Sequence, residues 1–211
     1  MNTNRTIDHI VYAVSDLDLA RKEFEKKLGV TPIFGGHHTT EGTKNALINL
    51  QDGMYLELIA IDHNTKNSIQ NRWMGVDVLT KNQITRLALK SKNLAKDSRI
   101  LKKYHPAMGL QKQGSRHTAS GLVLQWELLM PLPTPEVELI PFMLDWSKSN
   151  THPHDILPNM GCKLVEIRAT HPTPEKVQPF LKEIGYHFHI EKGEQITLQA
   201  VLETPNGIIH I

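Results

Sequence analysis

The segment IDHIVYAV at residues 7–14 continues into SDLDLARKEFEKKLG at residues 15–29, and the two predict a strand followed by a helix. Ser15 or Asp16 is suited to cap the start of the helix, and Gly29 is suited to end it. The apolar residues recur on one helical face: Leu17, Ala20, Phe24 and Leu28. His9 stands in the strand where a core residue is expected, and most buried histidines are hydrogen-bonded core residues.

Three short β-like segments follow this helix and are separated by turn residues. They are TPIFGGHH at 31–38, TKNALINL at 43–50 and MYLELIAI at 54–61. The order is therefore βαβββ. The same order returns from CKLVEIRAT at residue 162, and a weaker copy begins near residue 83. The chain thus predicts a domain at 1–147 made of two units, about 7–61 and 83–146, followed by a third unit at 162–211.

A single βαβββ unit leaves one sheet face and two sheet edges uncovered, so it needs a partner. Two units side by side would curve into a cup. We therefore predict an α+β fold in which two units pair into a curved, cup-shaped mixed sheet with the third unit appended. The unpaired unit predicts either a homodimer interface or an appended half-domain. An ordinary α+β sheet with an accidental repeat is the alternative.

Composition narrows the classes of protein. The chain has 211 residues, 39% of them apolar, and a net charge of +2, which argues against nucleic acid or membrane partners. Its single cysteine, Cys162, excludes an internal disulfide framework and suits a reducing compartment. The N-terminus lacks the apolar core of a signal peptide, and no apolar run approaches 18 residues. These features predict a soluble, cytoplasmic protein.

The paired βαβββ units resemble the vicinal oxygen chelate superfamily. The first unit carries the resemblance, since it begins with DHIVYAV and DLDLARKEFEKKLGV and ends with YLELIAI. Glyoxalase I, extradiol dioxygenases and bleomycin-resistance proteins belong to that superfamily. More narrowly, GGHHTTEGTKNALINL, LQWELLMP and IPFMLDW are similar to the glyoxalase-like domain family. These motifs cover roughly residues 5–147. The resemblance implies a divalent metal ion, such as Fe, Mn, Ni or Zn, which takes two oxygens of a small-molecule substrate.

The resemblance also implies roles for individual residues. His9 matches the ligand on the first strand, and Glu57 matches the ligand on the last strand of unit one. His38 matches the histidine of the family's GGxH segment, and Asn45 matches the asparagine of its GTxN segment. His38 would be the third ligand; His210 is the alternative if units one and three pair. Glu57 would serve as a ligand or as a general base.

Strand alternation supports part of this assignment independently. It places His9 on one face of its strand and Glu57, between leucines, on one face of MYLELIAI. A buried glutamate needs a cation, an arginine or a metal as its partner. The histidine and the glutamate could therefore form a structural ion pair or be two metal ligands. Unit two carries no ligand type on its first strand near residues 84–87, although Glu138 could stand where Glu57 stands.

Other residues have two interpretations each. Arg116 could bind a carboxylate or phosphate group of a substrate, or be solvated on a loop. Trp126, Phe142 and Trp146 are interpreted as core residues, although Trp126 is also a candidate for substrate binding in an aromatic-lined cup. His152 and His154 are interpreted as surface residues, because they lie in a connection that contains proline.

The resemblance favours a metal-dependent enzyme that acts on a small oxygenated molecule as a lyase, an isomerase or a dioxygenase. Glu57 would be its catalytic residue, and Asn45, Arg116 and Trp126 would bind the substrate. The alternative is a non-catalytic protein that binds or sequesters a small molecule, as bleomycin-resistance proteins do. A third possibility is a protein whose value lies in joining two subunits through the unpaired unit.

Overall fold

A computed structural model describes residues 5–65, 71–118 and 121–211. The first unit has the predicted βαβββ order: β1 (Ile7–Ala13), α1 (Leu17–Leu28), β2 (Ile33–His38), β3 (Thr43–Asn49) and β4 (Tyr55–Ile61). The second unit follows a short 3-10 helix, Trp73–Val78: β5 (Gln83–Lys90), α2 (Leu94–Tyr104), β6 (Gln111–His117), β7 (Val123–Leu129) and β8 (Phe142–Asp145). A second 3-10 helix, Pro106–Gly109, follows α2.

Local sequence explains where α1 begins and ends. The Asp16 carboxylate accepts hydrogen bonds from the backbone N–H groups of Asp18 and Leu19, both at 2.9 Å, so Asp16 rather than Ser15 is the N-cap. Gly29 ends the helix with a φ of 77°, a left-handed conformation that glycine adopts without steric cost. The four apolar residues predicted to share a face are all buried.

The first two units form one eight-stranded sheet in the order β2-β3-β4-β1-β5-β8-β7-β6. Within each unit the first and last strands are parallel neighbours, and β1 joins β5 in an antiparallel pair at the centre of the sheet. Arg116 on β6 donates to the carbonyl oxygen of Gly35 on β2, so the two outer strands approach each other. The predicted cup is confirmed as a curved and nearly closed sheet.

The third unit forms a separate four-stranded sheet. Its elements are β9 (Lys163–His171), α4 (Pro174–Ile184), β10 (Ile190–Lys192), β11 (Thr197–Thr204) and β12 (Gly207–His210), and a short helix, α3 (Pro153–Ile156), precedes it. The strand order is β10-β9-β11-β12. The order along the chain is the predicted one, but the pairing differs: β9 pairs antiparallel with β11, whereas β1 pairs parallel with β4. The short β12 forms a hairpin with β11 and stays at the sheet edge.

The position of β12 bears on the alternative metal ligand. His210 lies opposite Val201 in the second sheet and is exposed, and it does not line the cavity inside the cup. Units one and three do not pair, because the eight-stranded sheet joins units one and two. The alternative in which His210 faces Glu57 is therefore wrong.

Side chains from both sheets share one apolar core. Tyr104 at the end of α2 packs edge-on against Phe180 of α4, with ring centroids 5.2 Å apart. Asn206 donates to the carbonyl oxygens of Lys26 and Lys27 near the end of α1. Among the described ranges, no helix is both long enough and apolar enough to span a bilayer.

Candidate functional site

A narrow cavity with a free volume of about 30 Å³ lies within the curve of the eight-stranded sheet. All the residues that the sequence predicts for the site contribute to its wall: His9, His38, Asn45, Glu57, Arg116 and Trp126. Aromatic side chains form much of the remaining wall: Tyr55, Trp73, Phe142 and Trp146. The structure therefore brings the predicted residues together, whereas their chemical roles stay predictions.

His9 and Glu57 face each other across the base of the cavity. The parallel pairing of β1 with β4 places His9 beside Tyr55 and Val11 beside Glu57. The Nε2 atom of His9 lies 3.5 Å from Oε2 of Glu57, and both side chains are buried. The ring of Tyr55 stacks on the His9 imidazole at a centroid distance of 4.7 Å, which limits rotation of the imidazole.

Asp8 lies directly behind His9. The pairing of β1 with β5 shifts register between Ile7 and His9, and this irregularity accompanies the inward-turned carboxylate of Asp8. Asp8 Oδ1 lies 2.7 Å from His9 Nδ1, and Oδ2 accepts from Trp146 Nε1 at 2.9 Å. His152 Nε2 lies 2.9 Å from the same Oδ2. Burial alone would raise the pKa of the Asp8 carboxyl, but hydrogen bonds from His152 and His9 outweigh it and hold that pKa well below its usual value.

The contact with Asp8 decides which nitrogen of His9 faces the cavity with a lone pair. A carboxylate accepts hydrogen bonds, so the proton of a neutral His9 ring lies on Nδ1, and Nε2 presents a lone pair toward Glu57. Two acceptors then face each other at 3.5 Å. Two ligands at roughly 2.1 Å from a tetrahedral ion are separated by about 3.4 Å. His9 and Glu57 therefore fit two positions around a divalent cation.

Asn45 separates the third predicted ligand from this pair. Its Nδ2 donates to Glu57 Oε1 at 2.6 Å and lies 3.5 Å from His38 Nε2. Asn45 Oδ1 is buried and has no hydrogen-bond partner among the described residues. Within residues 5–65, 71–118 and 121–211, no three His, Cys, Asp or Glu side chains are grouped to hold a metal ion. His9, His38 and Glu57 therefore do not form a closed cage. Asn45 Oδ1 lies against Gly35, where an added Cβ would come within 2.3 Å of it.

His38 and His37 point to opposite sides of β2. His38 is buried, its Nδ1 lies 3.0 Å from the Thr43 hydroxyl, and burial, opposed by Glu57 and reinforced by Arg116, lowers its pKa to about 4. His38 is therefore neutral at pH 7. His37 is half-exposed and its Nδ1 lies 2.6 Å from Asp62 Oδ2. Only His38 contributes to the cavity.

The strand register identifies which residues replace His9 and Glu57 in the second unit. The antiparallel β1–β5 pair relates the two halves by a local two-fold, in which His9 lies opposite Ala88 and Val11 opposite Arg86. Arg86 therefore stands where His9 stands. Val11 pairs with Glu57 and Ala88 pairs with Phe142, so Phe142 stands where Glu57 stands. The second half offers no metal ligand at either position, as the sequence predicted for its first strand.

The suggestion that Glu138 replaces Glu57 is wrong. Glu138 lies before β8, outside the strand, where both its carboxylate oxygens accept from the Tyr104 hydroxyl at 2.9 Å. Arg86 itself is fully buried, and its guanidinium donates to backbone carbonyls of the segment that leads into β8. Burial lowers the pKa of Arg86 to about 10, so it stays charged at neutral pH. The second half of the cup is consequently filled by this segment.

Arg116 and Trp126 enter the cavity from β6 and β7. Arg116 is 4% exposed and donates through Nη1 to Gly35, so one of its N–H groups already has a protein acceptor. Gly114 lies opposite Trp126, and a Cβ at Gly114 would come within 2.4 Å of the indole nitrogen. The glycine therefore allows the indole to lie close against β6. Trp126 and Trp146 were interpreted from the sequence as core residues. Both line the cavity, and the centroids of their rings lie 5.2 Å apart.

Asp8 and His152 were not identified as site residues from the sequence, and neither was Trp73 of the cavity wall. Asp8 carries one signal, its place directly before His9 in an otherwise apolar strand. His152 was interpreted as a surface residue, and this is wrong: its ring packs edge-on against Trp146 at 5.1 Å and its Nε2 contacts Asp8. Its position 144 residues from Asp8 gave no local signal.

Comparisons with known proteins identify the family. A family model described as a glyoxalase-like domain matches residues 7–185, beyond the residues 5–147 that the sequence motifs cover. The structure of a hypothetical protein from Staphylococcus aureus is similar with a TM-score of 0.61 at 16% identity, covering 97% of this chain and 83% of that one. This likeness supports the fold alone.

Methylmalonyl-CoA epimerase structures are similar at lower scores. The one from Mycobacterium tuberculosis has a TM-score of 0.41 at 19% identity and covers 66% of this chain and 86% of that one. The one from Streptomyces coelicolor, in complex with 2-nitronate-propionyl-CoA, has a TM-score of 0.43 at 18% identity, covering 68% and 98%. A comparison with curated protein sequences finds no match. The chain belongs to the glyoxalase-like domain family.

Proposed function

We propose that this protein is a divalent-metal-dependent enzyme that acts on a small oxygenated molecule. The observation that carries the proposal is the facing pair of His9 Nε2 and Glu57 Oε2 at 3.5 Å, with the other ring nitrogen of His9 held by Asp8. A histidine that donates its second N–H to a carboxylate is the usual arrangement of a metal-binding imidazole. The ion, Fe, Mn, Ni or Zn, would be held by His9 and Glu57, with His38 as the third ligand.

A divalent cation at this place would act as a Lewis acid on an oxygen of the substrate. The second half of the cup supplies no ligand, so coordination positions stay open, as a catalytic metal site requires. Asn45 orients Glu57 through its 2.6 Å hydrogen bond. Glu57 is the carboxylate placed to act as a ligand or to accept a proton from a substrate carbon.

The aromatic residues of the cavity wall would determine the shape of the substrate that fits. Trp73, Trp126, Trp146 and Phe142 present flat apolar surfaces, which favour a small or planar substrate and exclude water around the reacting atoms. Arg116, buried beside Glu57, is placed to donate a hydrogen bond to a carbonyl or carboxylate oxygen. Whether the reaction is that of a lyase, an isomerase or a dioxygenase stays a prediction, as do the homodimer and the cytoplasmic location.

Equilibrium dialysis of the metal-stripped full chain against Mn²⁺, Fe²⁺, Ni²⁺ and Zn²⁺ in turn tests this function. We expect one ion per chain for at least one metal, lost in His9→Ala and in Glu57→Ala. His37→Ala is the matched control, because His37 lies on the same strand as His38 but points away from the cavity, and it should bind the metal normally. A folded wild type that binds none of the four ions contradicts the proposal.

A second candidate function is non-catalytic binding of a small molecule. The observation that favours it is the presence of Arg86 and Phe142 where a second pair of ligands would stand. The aromatic cavity would then be the binding site in its own right. A protein that binds planar organic molecules tightly in the presence of a chelator, with no change on adding metal, would support this alternative over the enzyme.

A further inference from the structure

His152 is held in a defined orientation by its own backbone. It is the N-cap of α3, and its Nδ1 accepts from the backbone N–H of His154 at 3.2 Å. Asp155 Oδ2 accepts from the backbone N–H of His152 at 3.2 Å, which completes a reciprocal capping box. Because Nδ1 is an acceptor, the proton of the neutral ring lies on Nε2. His152 therefore donates this proton to Asp8 Oδ2 at 2.9 Å.

Among the described residues, Asp8 thus receives donors from its neighbour His9 and from Trp146 and His152 in the connection that follows β8. One carboxylate oxygen accepts from His9, and the other accepts from both Trp146 and His152. The two donors on Oδ2 set the plane of the carboxylate, and that plane sets the direction of the bond to His9 Nδ1. The orientation of His9 Nε2 toward Glu57 therefore depends on a residue outside both βαβββ units of the cup.

The connection between the two sheets, residues 146–162, forms hydrogen bonds with the first unit of the cup on either side of His152. Asn49 at the end of β3 donates to the carbonyl oxygens of His154 at 3.4 Å and Leu157 at 2.9 Å. Gln51 donates to the carbonyl oxygen of Cys162 at 3.1 Å. Pro153, the next residue after His152, lines the cavity. The connection is consequently part of the wall of the site as well as a link to the second sheet.

We propose that His152 is a positioning residue of the metal site, which acts through Asp8 to hold His9 in the orientation and tautomer that bind a cation. This inference rests on the proposed function. It assigns to the connection at residues 146–162 a role in metal affinity that the repeated units alone do not supply. Partners of metal-bound histidines contribute about 10- to 100-fold in metal affinity.

The test is a titration of the metal-stripped full chain with Co²⁺, followed by the visible absorption of the bound ion. We expect His152→Ala to weaken Co²⁺ binding by about 10-fold and to change the absorption spectrum, because the donor that orients Asp8 is lost. His152→Gln keeps an N–H at a similar reach and should restore most of the affinity and the wild-type spectrum. His154→Ala is the matched control: its side chain contacts neither Asp8 nor the cavity, and it should bind Co²⁺ as the wild type does.

The possible outcomes separate this inference from the proposed function. If wild type binds Co²⁺ and His152→Ala binds it with the same affinity and spectrum, His152 has no positioning role. If His152→Ala does not fold, a His152→Gln variant that folds but binds 10-fold more weakly with an altered spectrum overturns the rescue that the N–H donor predicts. If wild type itself binds no Co²⁺ or other divalent ion, the proposed function fails and the inference fails with it.

Discussion

Replacing Glu57 by glutamine distinguishes a metal ligand from a structural ion pair. The amide oxygen of glutamine can still accept from Asn45 Nδ2, which lies 2.6 Å from Glu57 Oε1. The amide nitrogen would then occupy the place of Oε2, 3.5 Å from the lone pair of His9 Nε2, where it can donate. The variant therefore replaces two facing acceptors with a donor and an acceptor.

The magnitudes follow from these contacts. The hydrogen bond to Asn45 changes from a charged to a neutral acceptor, which costs about 1 kcal/mol, and a new bond to His9 returns about 1 kcal/mol. The free energy of unfolding of the metal-free protein should therefore stay within about 1 kcal/mol of wild type. Metal affinity should fall by at least about 100-fold, the upper end for loss of an outer partner, which corresponds to about 2.8 kcal/mol.

Urea unfolding followed by circular dichroism measures the stability, and Mn²⁺ titration measures the affinity. Glu41→Gln is the matched control, because Glu41 is a buried carboxylate paired with Lys112 that does not line the cavity. It should leave Mn²⁺ affinity unchanged. A Glu57→Gln variant that loses more than about 3 kcal/mol of unfolding free energy while metal binding is unaffected would refute a ligand role for Glu57. In that case Glu57 and a protonated His9 form a buried ion pair.

Further predictions concern the rest of the fold. Arg86→Met leaves buried carbonyls without their donor and should cost about 1–3 kcal/mol of unfolding free energy in urea; an unchanged free energy would contradict this role of Arg86. Gly114→Ala should displace the indole of Trp126, since the added Cβ would lie 2.4 Å from it, and shift the tryptophan fluorescence; an unchanged spectrum contradicts the packing. Burial raises the pKa of the Asp62 carboxyl, but the hydrogen bond from His37 lowers it further, so the net pKa in the folded protein is below the ordinary value. The ionised carboxylate of Asp62 therefore stabilises the fold above the unfolded-state pKa of about 3.9, and this contribution is lost as the pH falls below that value. Urea unfolding at pH 6 and pH 3 should show the gap between wild type and Asp62→Asn shrinking at the lower pH; a constant gap contradicts this. Light scattering should show two chains per particle, and a strict monomer contradicts the predicted homodimer.

Local patterns predicted the parts of the fold that depend on local chemistry. Asp16 and Gly29 frame α1 because capping and left-handed backbone are properties of single residues. His9 and Glu57 were placed on facing strands because alternation and the repeated βαβββ order determine which face and which strand each occupies. The sequence did not determine which aromatic residues line the cavity, since an aromatic residue on a strand can face a core or a cavity.

The remaining features depend on contacts distant in the chain. Asp8 is turned toward its partners at an irregular register in β1, and His152 reaches it across 144 residues. The role of Arg86 became visible only from the register between β1 and β5. The first and third units have the same order of elements along the chain, so this order could not predict that β9 pairs with β11 instead of β12.

The position of a bound ion tests the central claim most directly. Crystals grown with Mn²⁺ and measured near the manganese absorption edge would give an anomalous difference map. We expect one peak within about 2.3 Å of both His9 Nε2 and Glu57 Oε2, at metal–ligand distances close to those typical of N and O ligands. A map with Mn²⁺ bound elsewhere, or with no peak between these two atoms, would contradict it.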